Sequence, residues 1–180
     1  AIRIGDPLED ETQMGPLCTE AQVRLIEAQV ALAIKEGATV LTGGKQPALG
    51  GTYYEPTIVD CPSPDLTIVD TELFGPVLSV LRFETEAEAI ALANRSTHGL
   101  AAGVFTLNGA RQMRVAKAIR AGIVWVNTYR AVSPIAAFGG VKGSGYGRES
   151  GFQAMYDYTR PKTIWVNTSS EPIANPFVMR

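Results

Sequence analysis

Residues 72–77 read Glu-Leu-Phe-Gly-Pro-Val and lead into an apolar segment, residues 77–81, that has the composition of a β-strand. The Glu72 carboxylate can accept two hydrogen bonds from a vicinal diol, such as the hydroxyls of a ribose. In an extended segment Phe74 points to the same side as Glu72, so its ring can pack against a flat group attached to that sugar. The motif therefore predicts a binding site on the end of a strand. The alternative is a strand-start turn with an exposed Glu72 and a core Phe74.

Helix and strand patterns alternate on both sides of this motif. Thr19, Thr85 and Asn108 are typical helix-capping residues, and each precedes a stretch with helical character. The predicted strands are residues 38–41, 53–59, 77–81, 100–106 and 122–127, followed by a glycine-rich stretch at 138–151 without a pattern of its own, a short helix near 152–156 and a last strand at 163–166. This order predicts an α/β fold with a mainly parallel sheet flanked by helices and a C-terminal extension strand.

The composition is that of one globular domain. The chain has 180 residues, of which 46% are apolar and 19% are charged, and its net charge is −2. This charge gives no electrostatic basis for binding a nucleic acid. No apolar run is long enough to cross a bilayer and no secretory signal opens the chain, so we predict no interaction with a membrane.

The two cysteines, Cys18 and Cys61, are too few for a disulfide framework and favour a reducing, cytoplasmic setting. No cluster of side chains predicts a metal site. The chain opens at Ala1 without an initiator methionine, and we expect it to be part of a longer protein.

Three motifs follow one another in the chain: residues 72–77, residues 122–127 reading Gly-Ile-Val-Trp-Val-Asn, and residues 138–151 beginning Phe-Gly-Gly-Val-Lys-Gly. Together with Gly-Leu-Ala-Ala-Gly-Val-Phe-Thr at residues 99–106, they resemble the C-terminal part of the NAD(P)-dependent aldehyde dehydrogenase superfamily. The resemblance extends to about residue 166.

The resemblance implies roles for four residues and one segment. It implies that Glu72 holds the nicotinamide ribose of NAD or NADP and that Phe74 packs beside the nicotinamide. Phe138 and Val132 fall at positions where the family lines its channel for a small aldehyde. In the family, the strand that corresponds to residues 163–166 adds to the sheet of a neighbouring subunit, which implies a homo-oligomer, either a dimer or a tetramer.

The resemblance also implies an activity for the parent protein. Family members oxidise an aldehyde to a carboxylic acid through a cysteine thioester, and in them the cysteine and the dinucleotide-binding domain precede the segment that this chain resembles. We therefore expect residues 1–150 to be the C-terminal segment of a catalytic domain and residues 151–180 to be an oligomerisation strand and tail. No catalytic residue is assigned within the chain, and the chain alone is expected to be inactive.

Other residues and another function are alternatives to this interpretation. Cys18 and Cys61 lie outside any nucleophile motif, so structural roles are favoured for both. His98 lies at the end of a predicted helix, and a loop or capping role is favoured over that of a general base. A non-catalytic, self-associating module or truncated domain is the alternative function. The sequence leaves open which aldehyde is oxidised and whether the cofactor is NAD or NADP.

Overall fold

The computed structural model describes residues 2–172, 175 and 177. The other residues of the predicted tail lie outside the described residues. The helices and strands of the described part are α1 (Glu20–Lys35), β1 (Thr39–Thr42), β2 (Thr57–Asp60), α2 (Thr67–Asp70), β3 (Val77–Val80), α3 (Glu86–Arg95), β4 (Ala101–Val104), α4 (Gly109–Ala118), β5 (Ile123–Val126) and α5 (Met155–Tyr158), with short 3₁₀ turns at Lys142–Ser144 and Phe152–Ala154.

The three capping residues predicted from the sequence begin helices α1, α3 and α4. The hydroxyls of Thr19 and Thr85 each accept a hydrogen bond at 3.2 Å from the backbone N–H three residues further on. The Asn108 side-chain oxygen accepts the equivalent bond at 2.9 Å. Each bond satisfies an amide that the first turn of a helix leaves without a partner inside the helix. The predicted starts of these three helices are therefore confirmed.

The strands form two small sheets. Strand β2 lies between β1, which runs antiparallel to it, and β3, which runs parallel to it, while β4 and β5 pair in parallel. Parallel pairing predominates and helices connect the strands, so the predicted α/β fold class is confirmed. The sequence predicts one sheet, whereas the described residues form two, because β3 and β4 are not hydrogen-bonded neighbours.

Two local predictions differ from the structure. The strand predicted at 53–59 begins only at Thr57, because Pro56 has no N–H to donate to a strand ladder. Helix α2 was not predicted, since its first residues are β-branched and favour a strand. The Glu36 carboxylate fixes the start of α2 by accepting hydrogen bonds from the backbone N–H and the hydroxyl of Thr67, at 2.9 and 2.6 Å. A contact from a distant part of the chain thus decides this local structure.

The core lies between α1 and the first sheet. Four residues of α1 recur at helical spacing and are buried, namely Val23, Ile26, Val30 and Ala33. They belong to one cluster with apolar residues of β2, α2 and the adjoining loops, namely Tyr54, Val59, Cys61, Leu66, Ile68 and Leu73. The loop between α2 and β3 is therefore built on the best-packed part of the described chain.

The strand predicted at residues 163–166 does not form within this chain. No strand is present there, and Ile164, Trp165 and Val166 are 71%, 92% and 75% exposed. A strand needs main-chain hydrogen bonds to a neighbour, and none of the described residues supplies them. The predicted strand pairs with the sheet of a neighbouring subunit, so a single chain does not test it and it stays a prediction. Among the described residues, no helix is both long and apolar enough to cross a membrane.

Candidate functional site

Glu72 and Phe74 lie on the loop between α2 and β3, which is anchored on both sides of Phe74. Leu73 is buried, and its carbonyl accepts a hydrogen bond from a glutamine side chain of α1. Gly75 lies so close to Ile26 of α1 that an added Cβ would collide with that side chain. Close packing therefore fixes the loop backbone on the core. Glu72 and Phe74 extend from this fixed backbone, with the Phe74 residue 78% exposed.

The backbone at Phe74 differs from the extended conformation predicted from the sequence. Its φ is +47°, in the left-handed region, so the alternation of a strand does not apply between Glu72 and Phe74. The predicted reason for a shared orientation is therefore wrong, and so is the alternative of a core Phe74. A turn, rather than a strand, brings both residues to the lining of one cavity.

This cavity has a volume of about 400 Å³ and is formed by α2, the loop and β3. The Glu72 side chain is 56% exposed, so a molecule in the cavity can reach its carboxylate. A carboxylate next to an exposed aromatic ring can bind a ligand that joins a diol to a flat ring. The geometry is compatible with the cofactor contacts predicted for Glu72 and Phe74.

Charged side chains connect the C-terminal end of α3 to α2 and to this loop. Arg95 Nη2 lies 2.8 Å from a carboxylate oxygen of Asp65 and 3.7 Å from one of Asp70. His98 Nε2 lies 3.5 Å from Glu72 Oε2. The sequence interpretation of His98 missed this contact, because the two residues are far apart in the chain and share no motif. The tertiary fold alone brings them together.

The two residues predicted to line the substrate channel, Val132 and Phe138, lie on a second cavity of about 520 Å³. Its lining is mainly apolar, with Ile123 and Pro134 beside them, and Glu149 adds a carboxylate. Of the described residues, none lines both this cavity and the one beside Glu72. The structure thus groups the four predicted site residues into two pairs.

Hydrogen bonds hold the glycine-rich stretch at 138–151 in place, although it forms no α-helix or regular strand. The backbone groups of Phe138 and Glu149 exchange two hydrogen bonds of 2.7 Å, so the stretch folds back on itself. Arg148 Nη1 donates to the carbonyl of Gly140 at 2.7 Å. These contacts position Phe138, and they have no periodic sequence signal because one side chain binds backbone groups within an irregular loop.

The two cysteines are free thiols in different surroundings. Cys18 is exposed, whereas Cys61 lies in the core at 2% exposure. Burial raises the pKa of the Cys61 thiol. A thiol that stays protonated is a poor nucleophile, because the thiolate is the reactive form. The position of Cys61 therefore favours the structural role predicted for it. Within the described part of the chain, no group of three or more His, Cys, Asp and Glu side chains is arranged to hold a metal ion.

Comparison with known proteins gives a consistent set of relatives. A family model described as the aldehyde dehydrogenase family matches residues 1–164. A (Z)-2-((N-methylformamido)methylene)-5-hydroxybutyrolactone dehydrogenase from Acinetobacter baylyi is 51% identical over 181 residues, which cover 100% of this chain and 37% of the relative. A betaine aldehyde dehydrogenase from Cereibacter sphaeroides is 44% identical over 177 residues, which cover 98% of this chain and 36% of the relative.

Solved structures share the fold. The structure of an aldehyde dehydrogenase from Bacillus cereus in complex with NAD⁺ matches with a TM-score of 0.89 and 42% sequence identity. The match covers 93% of this chain and 34% of that structure. The chain thus spans 36% to 37% of the length of the two curated relatives, and 34% of this structure.

Proposed function

This chain belongs to the aldehyde dehydrogenase family, and we propose that its parent protein oxidises a small aldehyde to a carboxylic acid with NAD⁺ or NADP⁺. The chain spans little more than a third of its curated relatives, and we assign it to the C-terminal part of the parent. Residues 1–150 would then belong to the catalytic domain and residues 151–180 would form the oligomerisation strand and tail. The proposal is carried by the arrangement of Glu72 and Phe74 on one open cavity.

In this proposal Glu72 and Phe74 hold the ribosyl-nicotinamide part of the cofactor. The Glu72 carboxylate accepts hydrogen bonds from the two ribose hydroxyls, and charge makes these bonds stronger than bonds to a neutral acceptor. The exposed Phe74 ring packs beside the nicotinamide. When bound, the cofactor supplies the hydride acceptor that the oxidation of an aldehyde requires. The anchored backbone at Leu73 and Gly75 holds both residues at the lining of one cavity.

We assign the second cavity, with Val132 and Phe138, to the aldehyde. Its mainly apolar lining suits the carbon skeleton of a small aldehyde. The backbone bonds between Phe138 and Glu149 support this assignment, because they hold the aromatic ring on an ordered loop. The nucleophilic cysteine would come from the part of the parent that precedes residue 1, since neither Cys18 nor Cys61 lines either cavity among the described residues.

We also propose that the parent is a homo-oligomer and resides in the cytoplasm. Residues 163–166 are apolar, highly exposed and without strand partners in the described chain, so their backbone is free to pair with a second copy. The two thiols of this chain are free, which is consistent with a reducing compartment.

The proposal is tested by comparing the full-length parent with the 180-residue chain. We expect the parent to form NADH or NADPH from an aldehyde and the oxidised cofactor, and the chain alone to form none. In the parent, Glu72→Gln should weaken cofactor binding about tenfold or more, because a charged acceptor of two hydrogen bonds is lost. Binding is measured by calorimetric titration of NAD⁺ and turnover by the absorbance of NADH.

Glu9→Gln is the matched control, because it removes an exposed carboxylate that lies outside both cavities. It should bind the cofactor as the unmodified parent does. Robust turnover by the 180-residue chain would place the nucleophile within it and contradict its assignment to the preceding part of the parent. Unchanged NAD⁺ binding by the Glu72→Gln parent would show that Glu72 does not bind the cofactor.

A further inference from the structure

We propose that His98 is a positioning residue, which orients the Glu72 carboxylate before the cofactor binds. This inference rests on the function proposed for Glu72 and adds a residue that lies between α3 and β4. His98 Nε2 is 3.5 Å from Glu72 Oε2, and the side chains are 39% and 56% exposed. The contact therefore lies at the surface of the molecule, where an arriving cofactor meets Glu72.

The backbone that carries His98 is fixed on both sides. The His98 N–H donates to Ser96 Oγ at 3.1 Å, and the next amide, that of Gly99, donates to Ser144 Oγ at 3.0 Å. Lys142 Nζ donates to the Ser96 carbonyl at 3.0 Å. A Cβ added to Gly99 would meet the carbonyl of Arg120 at 2.9 Å, so the chain is closely packed at this point. The His98 ring is therefore presented from a rigid connection.

Among the described residues, none forms a hydrogen bond that fixes the Glu72 carboxylate, although its backbone neighbours are anchored. The loop is attached to the core through Leu73, and the hydroxyl of Thr71 donates to the carbonyl of Thr67 at 2.7 Å. Among the described residues, His98 is the basic side chain within 4 Å of the Glu72 carboxylate. A free glutamate loses conformational entropy when a ligand orders it, and a contact that orders it beforehand reduces that cost.

A contact with His98 leaves room for the ribose. A carboxylate has about four lone-pair sites on its two oxygens, so an interaction at Oε2 leaves acceptors for both hydroxyls of a diol. Ion pairs fix the distance between the segments that carry Glu72 and His98. Arg95, at the end of α3, binds Asp65 at 2.8 Å and Asp70 at 3.7 Å. These ion pairs hold α2 beside the end of α3. The fold thus brings the backbone of Glu72 within reach of the His98 ring, and the contact with His98 orients the carboxylate.

The experiment uses the full-length parent with His98→Phe, His98→Gln and Glu72→Gln. We expect His98→Phe to raise the dissociation constant of NAD⁺ about two- to fivefold, as for the loss of one partly exposed polar contact, with kcat at saturating NAD⁺ nearly unchanged. His98→Gln keeps an N–H donor at a similar reach and should restore most of the affinity. Calorimetric titration and steady-state kinetics give the two quantities separately.

Arg24→Gln serves as the control, because it removes an exposed ion pair with Glu20 at 3.2 Å on α1, outside the site. Weaker binding in Glu72→Gln but unchanged binding in His98→Phe would overturn the positioning role and leave the function of Glu72 intact. An equal loss in His98→Phe, His98→Gln and Arg24→Gln would also overturn it, since a general loss of surface charge would then explain the effect. Unchanged binding in Glu72→Gln would instead refute the proposed function on which the role rests.

Discussion

Phe74 combines an unusual backbone conformation with a proposed role in binding the cofactor. Its φ of +47° is uncommon for a residue other than glycine and costs free energy, on the order of 1 kcal/mol or more. The neighbouring residues maintain this conformation, since Leu73 is buried and Gly75 lies against Ile26 of α1. Strained residues persist only where the surrounding structure holds them in place, and they cluster at binding sites. The strain thus supports a ligand-binding role for the exposed ring.

Replacing this ring should affect binding more than stability. We expect Phe74→Ala in the full-length parent to weaken NAD⁺ binding about three- to tenfold, which is the effect of losing one aromatic packing contact. The unfolding temperature should change little, because the side chain is 78% exposed. Calorimetric titration measures the first effect and thermal unfolding the second.

Phe74→Tyr is the control for this substitution, because it keeps the ring and should keep the affinity. Equal NAD⁺ affinity in Phe74→Ala and the unmodified parent would show that the ring does not contact the cofactor.

The sequence supports the identity of the site residues better than their geometry. Glu72 and Phe74 were singled out by residue type within a short motif, and the structure places both on one cavity. The sequence does not predict the left-handed backbone at Phe74, because packing on α1 maintains it rather than a glycine at that position. The contact between Glu72 and His98 depends on how α2 and α3 pack, and local patterns carry no such information.

At the level of elements, one acidic residue joins α3 to α4. Glu86 Oε1 lies 2.6 Å from Arg114 Nε, and Glu86 Oε2 lies 2.9 Å from Arg111 Nε. Arg114 also donates from Nη2 to Oε2 at 2.8 Å, so it holds the carboxylate with two parallel bonds. Hydrogen bonds from Arg114 and Arg111 hold the pKa of Glu86 at about 2, below its ordinary value of 4.5.

This shift predicts how the contribution of Glu86 to stability depends on pH. The pKa is lower in the folded state, so the contribution is fully present above the ordinary value of 4.5 and is lost as the pH falls towards 2. We expect Glu86→Gln to lower the unfolding temperature of the parent near neutral pH. The difference from the unmodified protein should shrink steadily in acid, as measured by thermal unfolding across a series of pH values.

Glu84→Gln is the matched control, because among the described residues the Glu84 carboxylate has no arginine partner. Its effect on the unfolding temperature should be small at every pH. A Glu86→Gln difference that stays constant from neutral pH down to the lowest pH at which the protein folds would rule out the ion pairs as its source.

The elements that could be predicted are those with a local cause. The periodic apolar residues of α1 and its capping Thr19 are sufficient to specify that helix, and β3 follows from its short apolar run. Helix α2 could not be predicted, because the hydrogen bonds that Thr67 donates to the Glu36 carboxylate override the strand preference of β-branched residues. A strand at 163–166 requires a partner that the described chain does not supply, so its sequence pattern alone cannot create it.

For the whole molecule, burial is unevenly distributed between the two sheets. The core cluster belongs to α1, α2 and the first sheet, whereas α4 has Val115 as its buried residue and α3 has none. On either side of β4, the large apolar side chains of Leu100 and Phe105 are exposed. Exposed apolar area of this extent indicates surfaces that other parts of a larger assembly cover. Under the proposed function, the rest of the parent protein and a second copy of it cover these surfaces.

Proline substitutions at two successive positions test whether residues 163–166 pair with a second copy. Proline lacks the N–H that a strand ladder needs, and the N–H groups of successive strand residues point to opposite edges. One of the substitutions Ile164→Pro and Trp165→Pro should therefore remove a donor that binds the neighbouring copy, whatever the register. Neither breaks a bond within the chain, since no backbone hydrogen bond of the described residues involves this segment. We expect one variant of the full-length parent to form a smaller assembly, as measured by light scattering after size-exclusion chromatography.

Trp165→Ala is the control, because it removes the side chain, keeps the donor and should retain the assembly. Unchanged mass in both proline variants would show that main-chain pairing at this segment does not hold the oligomer together.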